Sequence, residues 1–424
     1  MKSKFVANLP FFLDINARFM RNISYFCIVK HLYAIFITVF LLFLPSARGY
    51  AQGGVEPDSI HIYLLTCSPH QTVYSLYGHS ALRVENRQSG EDVAVNYGVF
   101  SFDKPFFALR FVFGLTDYEM GLCPFELFKR EYEYYGSSVA QQEINLTASE
   151  KLRVIAALNE NWKPENRVYR YNFFYDNCTT RARDIVCDNI DGRVVYDGKV
   201  PEGVTFRKMI HDMNGDYPWA RLGNDLLLGV GADRQLDLSE FQFLPHSMRS
   251  SADKAYIIDK HGNKRVFVKS KSEVVPPALQ VVDEGFPLTP VQCASILLAV
   301  TLLLSVAEWR TGRYLWWYDA VLECCLALCS IVMVAMLFSH HPTVSLNAQI
   351  LLFNPLVLVF GVRAICRFRK GVLHWLWLVQ IVCVCLLLVV YSFGIQWIDM
   401  SVRLLALSVL VRCGMKMKGV KAVA

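Results

Sequence analysis

Residues 171–181, YNFFYDNCTTR, place a cysteine between an aromatic run with strand character and a helix-like run, Arg181 to Ile190. Cys178 is therefore predicted in the first turn of a helix, where unpaired backbone N–H groups and the helix dipole stabilise a thiolate. The alternative is that Cys178 is a small buried hydrophobic residue. Cys178 stands among polar, turn-forming residues, where packing alone does not require a cysteine. This position favours a reactive thiol.

An earlier stretch, YGHS at residues 77–80, supplies a partner for that thiol. His79 begins an apolar strand-like run, Ala81 to Val84. An imidazole brought beside a thiol in the fold can take its proton, which is the activation that a cysteine nucleophile needs. The alternative for His79 is a strand-end histidine that only satisfies its polar neighbours. Together the two stretches predict a catalytic pair, Cys178 and His79.

Asn96 is the predicted third catalytic residue. It is a polar side chain in an apolar run, Val93–Phe100, and the turn-rich residues 86–91 join this run to the His79 run as a hairpin. In such a hairpin Asn96 would orient the imidazole from the neighbouring strand. The alternative is an asparagine that pairs with backbone at a strand edge.

Further residues are predicted to shape or bind at the site: Tyr77, Ser80, Asp176, Asn177, Arg181 and Arg183. Asp176 and Asn177 are expected to form the turn before the helix, with Asn177 as a cap or as an amide donor to an oxyanion. The two arginines either bind an anionic head group or pair with Asp184 or Asp188.

Residues 52–271 read as one α+β domain with a small antiparallel sheet and helices packed on it. A helix is predicted over Pro124–Tyr135, and TASE at residues 147–150 is a capping box that opens another. Residues 256–268 are expected to form a hairpin. Six strand-like runs make up the predicted sheet: Ser59–Thr66, His79–Glu85, Val93–Phe100, Leu115–Met120, Val139–Leu146 and Val168–Tyr175.

Apolar residues dominate the C-terminal third, and hydrophobic residues make up 54% of the whole chain. The third is predicted to be an all-α membrane domain over residues 291–412, after a Pro- and charge-rich linker at 272–290 and before a basic tail at 413–424. Some runs are shorter than the roughly 20 residues that cross a bilayer, so their flanks must be included. The five candidate spans are Cys293–Ala307, Leu315–Phe338, Ile350–Val362, Leu373–Tyr391 and Val402–Val411.

The basic residues predict the orientation of these spans. Lys and Arg cluster after the first, third and fifth runs, whereas the loops at 340–347 and 393–401 carry none. Because positive charge stays on the cytoplasmic side, the soluble domain is expected outside the cytoplasm and the C-terminus inside. Residues 1–51 resemble a signal peptide or a signal anchor. The net charge of +6 follows from this topology and does not indicate a nucleic-acid partner.

The 13 cysteines do not predict a disulfide scaffold or a metal site. Most fall in or beside the membrane runs, where cysteine acts as a small apolar residue. The exported domain holds four of them, without the Cys-x-x-Cys or Cys/His spacing of a zinc site: Cys67, Cys123, Cys178 and Cys187. No cofactor is predicted.

Several stretches of this chain resemble one family, the Lnb-type N-terminal periplasmic domain proteins of Gram-negative bacteria. The similar stretches are YGHSALRV at 77–84, YGVFSF at 97–102, YNFFYDNCTTR at 171–181 and EFQFLP at 240–245; Asn347 and Asn354-Pro355 in the membrane part are similar too. The resemblance implies a lipoprotein N-acyltransferase of the bacterial inner membrane, with a catalytic domain of the circularly permuted papain-like class.

Such an enzyme would transfer an acyl chain from a phospholipid, through a thioester on Cys178, to the α-amino group of a diacylated lipoprotein. Four aromatic residues are candidates for contact with the acyl chain or the outer leaflet, or for core packing: Phe106, Phe107, Phe111 and Phe113. Two alternatives stay open: a membrane-anchored cysteine peptidase or amidase of the cell envelope, and a non-enzymatic membrane sensor or assembly protein.

Overall fold

A computed structural model describes residues 56–70, 75–100, 105–106, 110–111, 113–279 and 285–418. The predicted signal segment, residues 1–51, lies outside the described residues, as does Phe107.

The N-terminal domain contains ten strands and seven α-helices in the described residues. The strands are β1 Ile60–Cys67, β2 His79–Asn86, β3 Glu91–Val99, β4 Asp117–Pro124, β5 Val139–Ile144, β6 Val168–Arg170, β7 Arg193–Val195, β8 Tyr256–Ile258, β9 Lys264–Val266 and β10 Val268–Val275. The helices are α1 Phe125–Tyr135, α2 Ala148–Trp162, α3 Cys178–Cys187, α4 Phe206–Met213, α5 Pro218–Leu227, α6 Leu238–Phe241 and α7 Pro245–Lys254.

Seven of these strands form one antiparallel sheet in the order β10-β5-β1-β2-β3-β4-β6, and β7, β8 and β9 form a smaller one. The predicted α+β class is confirmed. The predicted β2–β3 hairpin is present, and the side chain of Asn86 accepts hydrogen bonds from the N–H groups of Gln88 and Ser89 in its turn. The predicted hairpin at 256–268 is present as β8 and β9.

Helices cover both faces of the large sheet. Leu82 and Val95 share one core with Ala182 and Val186 of α3. On the opposite face, Ala81 belongs to a second core with aromatic residues of α1, such as Phe125 and Phe128. A strand buried on both faces reads as a nearly continuous apolar run, which accounts for the pattern of β1. The two layers place α3 and α1 on either side of the first residue of β2, His79.

The run predicted as a strand over Val168–Tyr175 ends earlier than expected, since β6 stops at Arg170. The side chain of Asn172 accepts the N–H of Phe174, and its carbonyl accepts the N–H of Asp176. An asparagine that bonds its own backbone in this way forms a turn. The aromatic residues before Cys178 therefore lie in a turn that leads into α3.

Among the residues that the structure describes, the C-terminal part contains five α-helices: α8 Pro290–Thr311, α9 Trp316–Leu337, α10 Pro355–Arg369, α11 Leu376–Ser392 and α12 Met400–Met417. Each predicted span falls on one of them. In the described residues, three segments are long and apolar enough to cross a membrane, Pro290–Thr311, Trp316–Leu337 and Ala348–Arg369, and α11 is a shorter apolar helix.

Two predicted boundaries differ from the structure, the start of the linker and the start of the C-terminal tail. Residues 272–275, predicted as linker, belong to β10 because they pair with β5 at the sheet edge. The predicted tail begins inside α12, which continues to Met417. Arg412 and Lys416 near its end are buried, and their ion pairs with Glu308 and Asp319 on α8 and α9 hold the end of α12 in the helix bundle.

Candidate active site

Cys178 is the first residue of α3, as predicted, and Asn177 is the helix cap. The Asn177 Oδ1 atom accepts the N–H groups of Thr179 and Thr180 at 2.8 and 2.9 Å. Its Nδ2 group donates to the carbonyl oxygens of Phe173 and Phe243. Both ends of this amide are therefore engaged by protein groups, and of the two predicted roles Asn177 has that of the cap. The cap fixes the start of α3 and with it the position of the thiol.

His79 begins β2, and its position depends on the glycine before it. Gly78 has φ +74°, and a Cβ atom there would lie 2.6 Å from the carbonyl oxygen of Cys67. Only a residue without a side chain allows this approach of the two backbones. Across the strands His79 is paired with Cys67, the last residue of β1. The turn thus brings the imidazole to the sheet end next to the start of α3.

Asn96 holds the imidazole, as the sequence predicts. It lies on β3 opposite Ala81 of β2, and its Oδ1 atom is 3.0 Å from His79 Nε2. An amide oxygen can only accept, so Nε2 carries a proton, and Nδ1 is the ring nitrogen that remains for the hydrogen bond with Cys178. The Asn96 amide nitrogen donates to Cys123 Sγ at 3.5 Å, which orients the amide.

The electrostatics of the pair favour charge separation. Burial raises the pKa of Cys178, but the charge and the hydrogen bond of His79, with smaller effects from the Ser80 N–H and the Thr179 hydroxyl, outweigh it and leave this pKa below the usual value. Burial lowers the pKa of His79, yet the charge and hydrogen bond of Cys178 and the hydrogen bond of Asn96 leave it raised. A thiolate beside an imidazolium is the form that a nucleophilic cysteine needs.

The other three thiols of the N-terminal domain have raised pKa values instead. Burial raises the pKa of Cys67 far above its usual range. Burial likewise raises the pKa values of Cys123 and Cys187, each to about 11. Because the thiolate is the reactive form, Cys178 is the candidate nucleophile among the four.

Ser80 and Tyr77 flank the pair as predicted. The Ser80 and Thr179 hydroxyl groups are 3.1 Å apart and tie the start of β2 to the first turn of α3. The Tyr77 ring meets the edge of Phe173 at a centroid distance of 5.0 Å. Each therefore joins the histidine side of the site to the cysteine side.

Arg181 and Arg183 are held by protein groups. Arg181 binds both carboxylate oxygens of Asp176 at 2.6 and 2.8 Å and lies over the Tyr169 ring. Arg183 pairs with Asp184, one of the two predicted partners, and also bonds Gln242. Arg181 instead uses Asp176, which therefore anchors α3 in addition to shaping the turn. Of the two predicted roles, the structure therefore shows pairing with protein groups for both arginines, and not binding of a head group.

Two residues near the pair escaped prediction from the sequence. Gly98 has φ +86°, and a Cβ atom there would lie 3.8 Å from Cys178 Cβ, so its bare backbone forms a wall of the site. Glu131 of α1 acts electrostatically on His79 from the other layer of the fold. Gly98 stands in the YGVFSF stretch and could have been found there, whereas nothing local distinguishes Glu131 from the other acidic residues of its helix.

Three aromatic residues before β4, Phe106, Phe111 and Phe113, form what we call the aromatic segment. This segment contacts a loop of the membrane part. Phe111, which is 45% exposed, lies with its ring 6.4 Å from that of His341, and the carbonyl of Phe113 accepts the N–H of His340 at 3.0 Å. Both histidines lie in the loop after α9, which ends at Leu337. Phe106 is 79% exposed. Phe106 and Phe111 are thus exposed, which disfavours core packing for these two, and the segment lies at the end of a membrane helix.

Comparisons with known proteins agree with this division of the chain. The family description Lnb N-terminal periplasmic domain matches residues 48–210, and the description Lnb transmembrane domain matches residues 282–421. Comparisons with curated proteins and with solved structures gave no match. The resemblance noted in the sequence is confirmed: the chain belongs to the Lnb-type family and is an inner-membrane protein with a periplasmic domain.

Proposed function

We propose that this Lnb-type protein is a membrane-anchored thiol acyltransferase, which moves a fatty acyl chain from a phospholipid to the α-amino group of a lipoprotein's N-terminal cysteine. The observation that carries the proposal is the Cys178–His79–Asn96 arrangement in a domain that rests on membrane helices. Acyl chains are soluble only in the bilayer, so an acyl-transferring thiol belongs close to its surface.

The first half-reaction forms a thioester. The Cys178 thiolate attacks the ester carbonyl carbon of the phospholipid, and the carbonyl oxygen becomes an oxyanion. The Thr179 and Thr180 N–H groups are occupied by the Asn177 cap, so the N–H of Cys178 itself, at the first position of α3, is the proposed donor to this oxyanion. Collapse of the intermediate breaks the C–O bond, and the His79 imidazolium gives its Nδ1 proton to the leaving alkoxide of the lyso-lipid.

The second half-reaction resolves the thioester. The lipoprotein amine attacks the thioester carbonyl, neutral His79 accepts a proton from the attacking nitrogen, and the thiolate leaves. The products are an amide and the original thiolate–imidazolium pair. Asn96 holds the ring with Nδ1 towards the sulfur through both proton transfers.

Contact between the catalytic domain and the end of α9 supports an acyl donor from the outer leaflet. The Phe111–His341 and Phe113–His340 contacts place the aromatic segment beside the periplasmic end of a membrane helix. Aromatic side chains favour the membrane–water interface. We propose that Phe106 and Phe111 enter this interface and keep the site close to lipid.

The same proposal places the C-terminus in the cytoplasm, on the distribution of Lys and Arg. A reporter that is active only in the cytoplasm should be silent when fused after residue 270 and active when fused after Ala424. The opposite pattern would overturn the orientation and the substrate assignment with it.

The reaction is tested with the purified full-length protein, a phospholipid and a diacylated lipopeptide with a free α-amine. Triacylated peptide and lyso-lipid should form together, and hydroxylamine should release an acyl hydroxamate from the intermediate. Cys178→Ala should abolish both, whereas Cys187→Ser, which changes a thiol with a raised pKa on the same helix, should retain activity. Release of free fatty acid would indicate a hydrolase, and cleavage of a peptide bond would indicate the peptidase or amidase. If no covalent reaction occurs at all, a non-enzymatic sensor or assembly protein remains as the alternative.

A further inference from the structure

Three side-chain amides of the membrane part bind the end of the periplasmic helix α5. Gln349 Nε2 donates to the carbonyl of Asp225 at 2.7 Å, Asn347 Nδ2 to that of Leu226 at 2.9 Å, and Gln396 Nε2 to that of Leu228 at 3.2 Å. We call these three residues the amide seam. The last carbonyl groups of a helix have no partner within it, so the seam caps α5 with groups from another domain. All three amides are buried, where the loss of a hydrogen bond is most costly.

Backbone contacts close the same junction. The N–H of Gly229 donates to the carbonyl of Thr343, and that of Val230 to the carbonyl of Leu346, each at 2.8 Å. A Cβ atom at Gly229 would lie 2.1 Å from the Leu346 oxygen, so the two chains approach as closely as backbone allows. The end of α5 is therefore joined to the loop between α9 and α10 along several consecutive residues.

The helix is also fixed from its own domain. Arg207 and His211 of α4 both bind the Asp225 carboxylate at 2.8 Å, and Arg207 binds Asp233 as well. Arg207 and Asp225 are almost completely buried. Because α5 is bonded to Arg207 and His211 on one side and to the amide seam at its end, a displacement of the membrane loop would move α5 as a whole.

One turn before its end, α5 reaches the catalytic site. Asn224 Nδ2 donates to the hydroxyl oxygen of Tyr77, and Asn214 Nδ2 donates to the same oxygen at 3.3 Å. Tyr77 is two residues before His79, and its ring lies against Phe173. The carbonyl of Phe173 in turn accepts the amide of Asn177, the cap that fixes Cys178. Tyr77 thus touches the loops that carry both members of the catalytic pair.

We propose that the membrane domain positions the catalytic pair through α5, with Asn224 and Tyr77 as positioning residues between the amide seam and His79. The inference rests on the proposed function only for the identity of the pair. It gives the membrane helices a part in activating the thiol, in addition to anchoring the domain.

The test is the pH dependence of Cys178 alkylation in the full-length protein in lipid nanodiscs, because alkylation reports the thiolate and needs no acyl substrate. Iodoacetamide labelling of the Cys178 peptide is followed by mass spectrometry from pH 5 to pH 9. Tyr77→Phe removes only the hydroxyl and keeps the ring against Phe173. Gln349→Met removes an amide of the seam at nearly constant volume. Each should shift the labelling midpoint to higher pH and slow labelling at pH 7 about threefold to tenfold, the effect of losing one hydrogen bond on the positioning path.

The matched control is Gln380→Met. Gln380 is a buried glutamine of the same membrane part, but its amide binds Glu323 on α9. Its variant should keep the wild-type midpoint. Gln396→Met serves as a second seam variant if Gln349→Met does not insert. The double variant with Tyr77→Phe and Gln349→Met should be no slower than the slower single variant, since both act along one path.

Wild-type midpoints in every folded seam variant would overturn the proposal, even if Tyr77→Phe shifted. An equal shift in Gln380→Met would overturn it too, because it would indicate a general loosening of the membrane part. If acyl transfer is absent but the seam variants shift and the control does not, the proposed function fails and this inference stands.

Discussion

Asn96→Ala isolates the contribution of the residue that holds the imidazole. The Asn96 Oδ1 atom accepts a hydrogen bond at 3.0 Å from His79 Nε2, and this bond becomes charge-assisted whenever the ring is an imidazolium. A hydrogen bond to a charged group contributes about 1.5–3 kcal/mol. Since about 1.4 kcal/mol corresponds to a factor of ten, the alanine variant should form the thioester roughly ten to a hundred times more slowly.

The assay is a single-turnover measurement of Cys178 acylation, with an excess of protein over a phospholipid carrying a radiolabelled acyl chain. Asn96→Asp is the informative partner variant: it keeps an acceptor oxygen towards Nε2 and adds a negative charge, which raises the pKa of His79 further. It should retain more activity than the alanine variant. Asn145→Ala changes an asparagine whose amide binds the carbonyl of Val266 and should behave as wild type.

Two outcomes would refute this reasoning. If Asn96→Ala acylates within about twofold of wild type, the bond to Nε2 does not orient the ring. If the alanine and aspartate variants lose the same large factor, the cause is a packing defect, because the aspartate keeps the acceptor. Lower melting temperatures of both variants would identify such a packing defect.

The remaining predictions concern pH and the turn before His79. Acylation by the thiolate–imidazolium pair should follow a bell-shaped pH profile: it rises as Cys178 loses its proton at a lowered pKa and falls as His79 loses its proton at a raised pKa. A rate that keeps rising above the pKa of an ordinary thiol would argue against the pair. Gly78→Ala should lower the free energy of unfolding by about 2 kcal/mol more than Gly90→Ala, measured by denaturant titration, because both glycines have positive φ but only Gly78 meets a carbonyl oxygen. Equal losses in the two variants would show that the close approach to Cys67 is relieved at no cost.

The local elements were largely predictable from the sequence. The capping box at Thr147 and Glu150 forms as expected, and so does the cysteine at the start of α3, because caps and helix starts depend on residues three or four positions apart. Apolar periodicity predicted the central strands and the positions of the membrane helices. Errors arose where one residue redirects the backbone, as at Asn172, where a side-chain bond ends the strand before the aromatic run does.

The sequence by itself determined which residues are candidates for the site and where the apolar helices lie: a cysteine at a helix N-terminus, a histidine at a strand start, an asparagine on the next strand and apolar helices after the domain. These features follow from short-range sequence patterns, which do not depend on how the elements pack against each other. Only the tertiary structure decided which charged side chains have partners and which residues join the two domains. Arg183 donates to Gln242, Glu131 acts electrostatically on His79 from the opposite layer, and the amide seam joins the membrane loops to α5. Such contacts join residues far apart in the chain, and no local pattern encodes them. The sequence around a buried glutamine does not show which distant group its amide will bond, because the fold alone brings the two together.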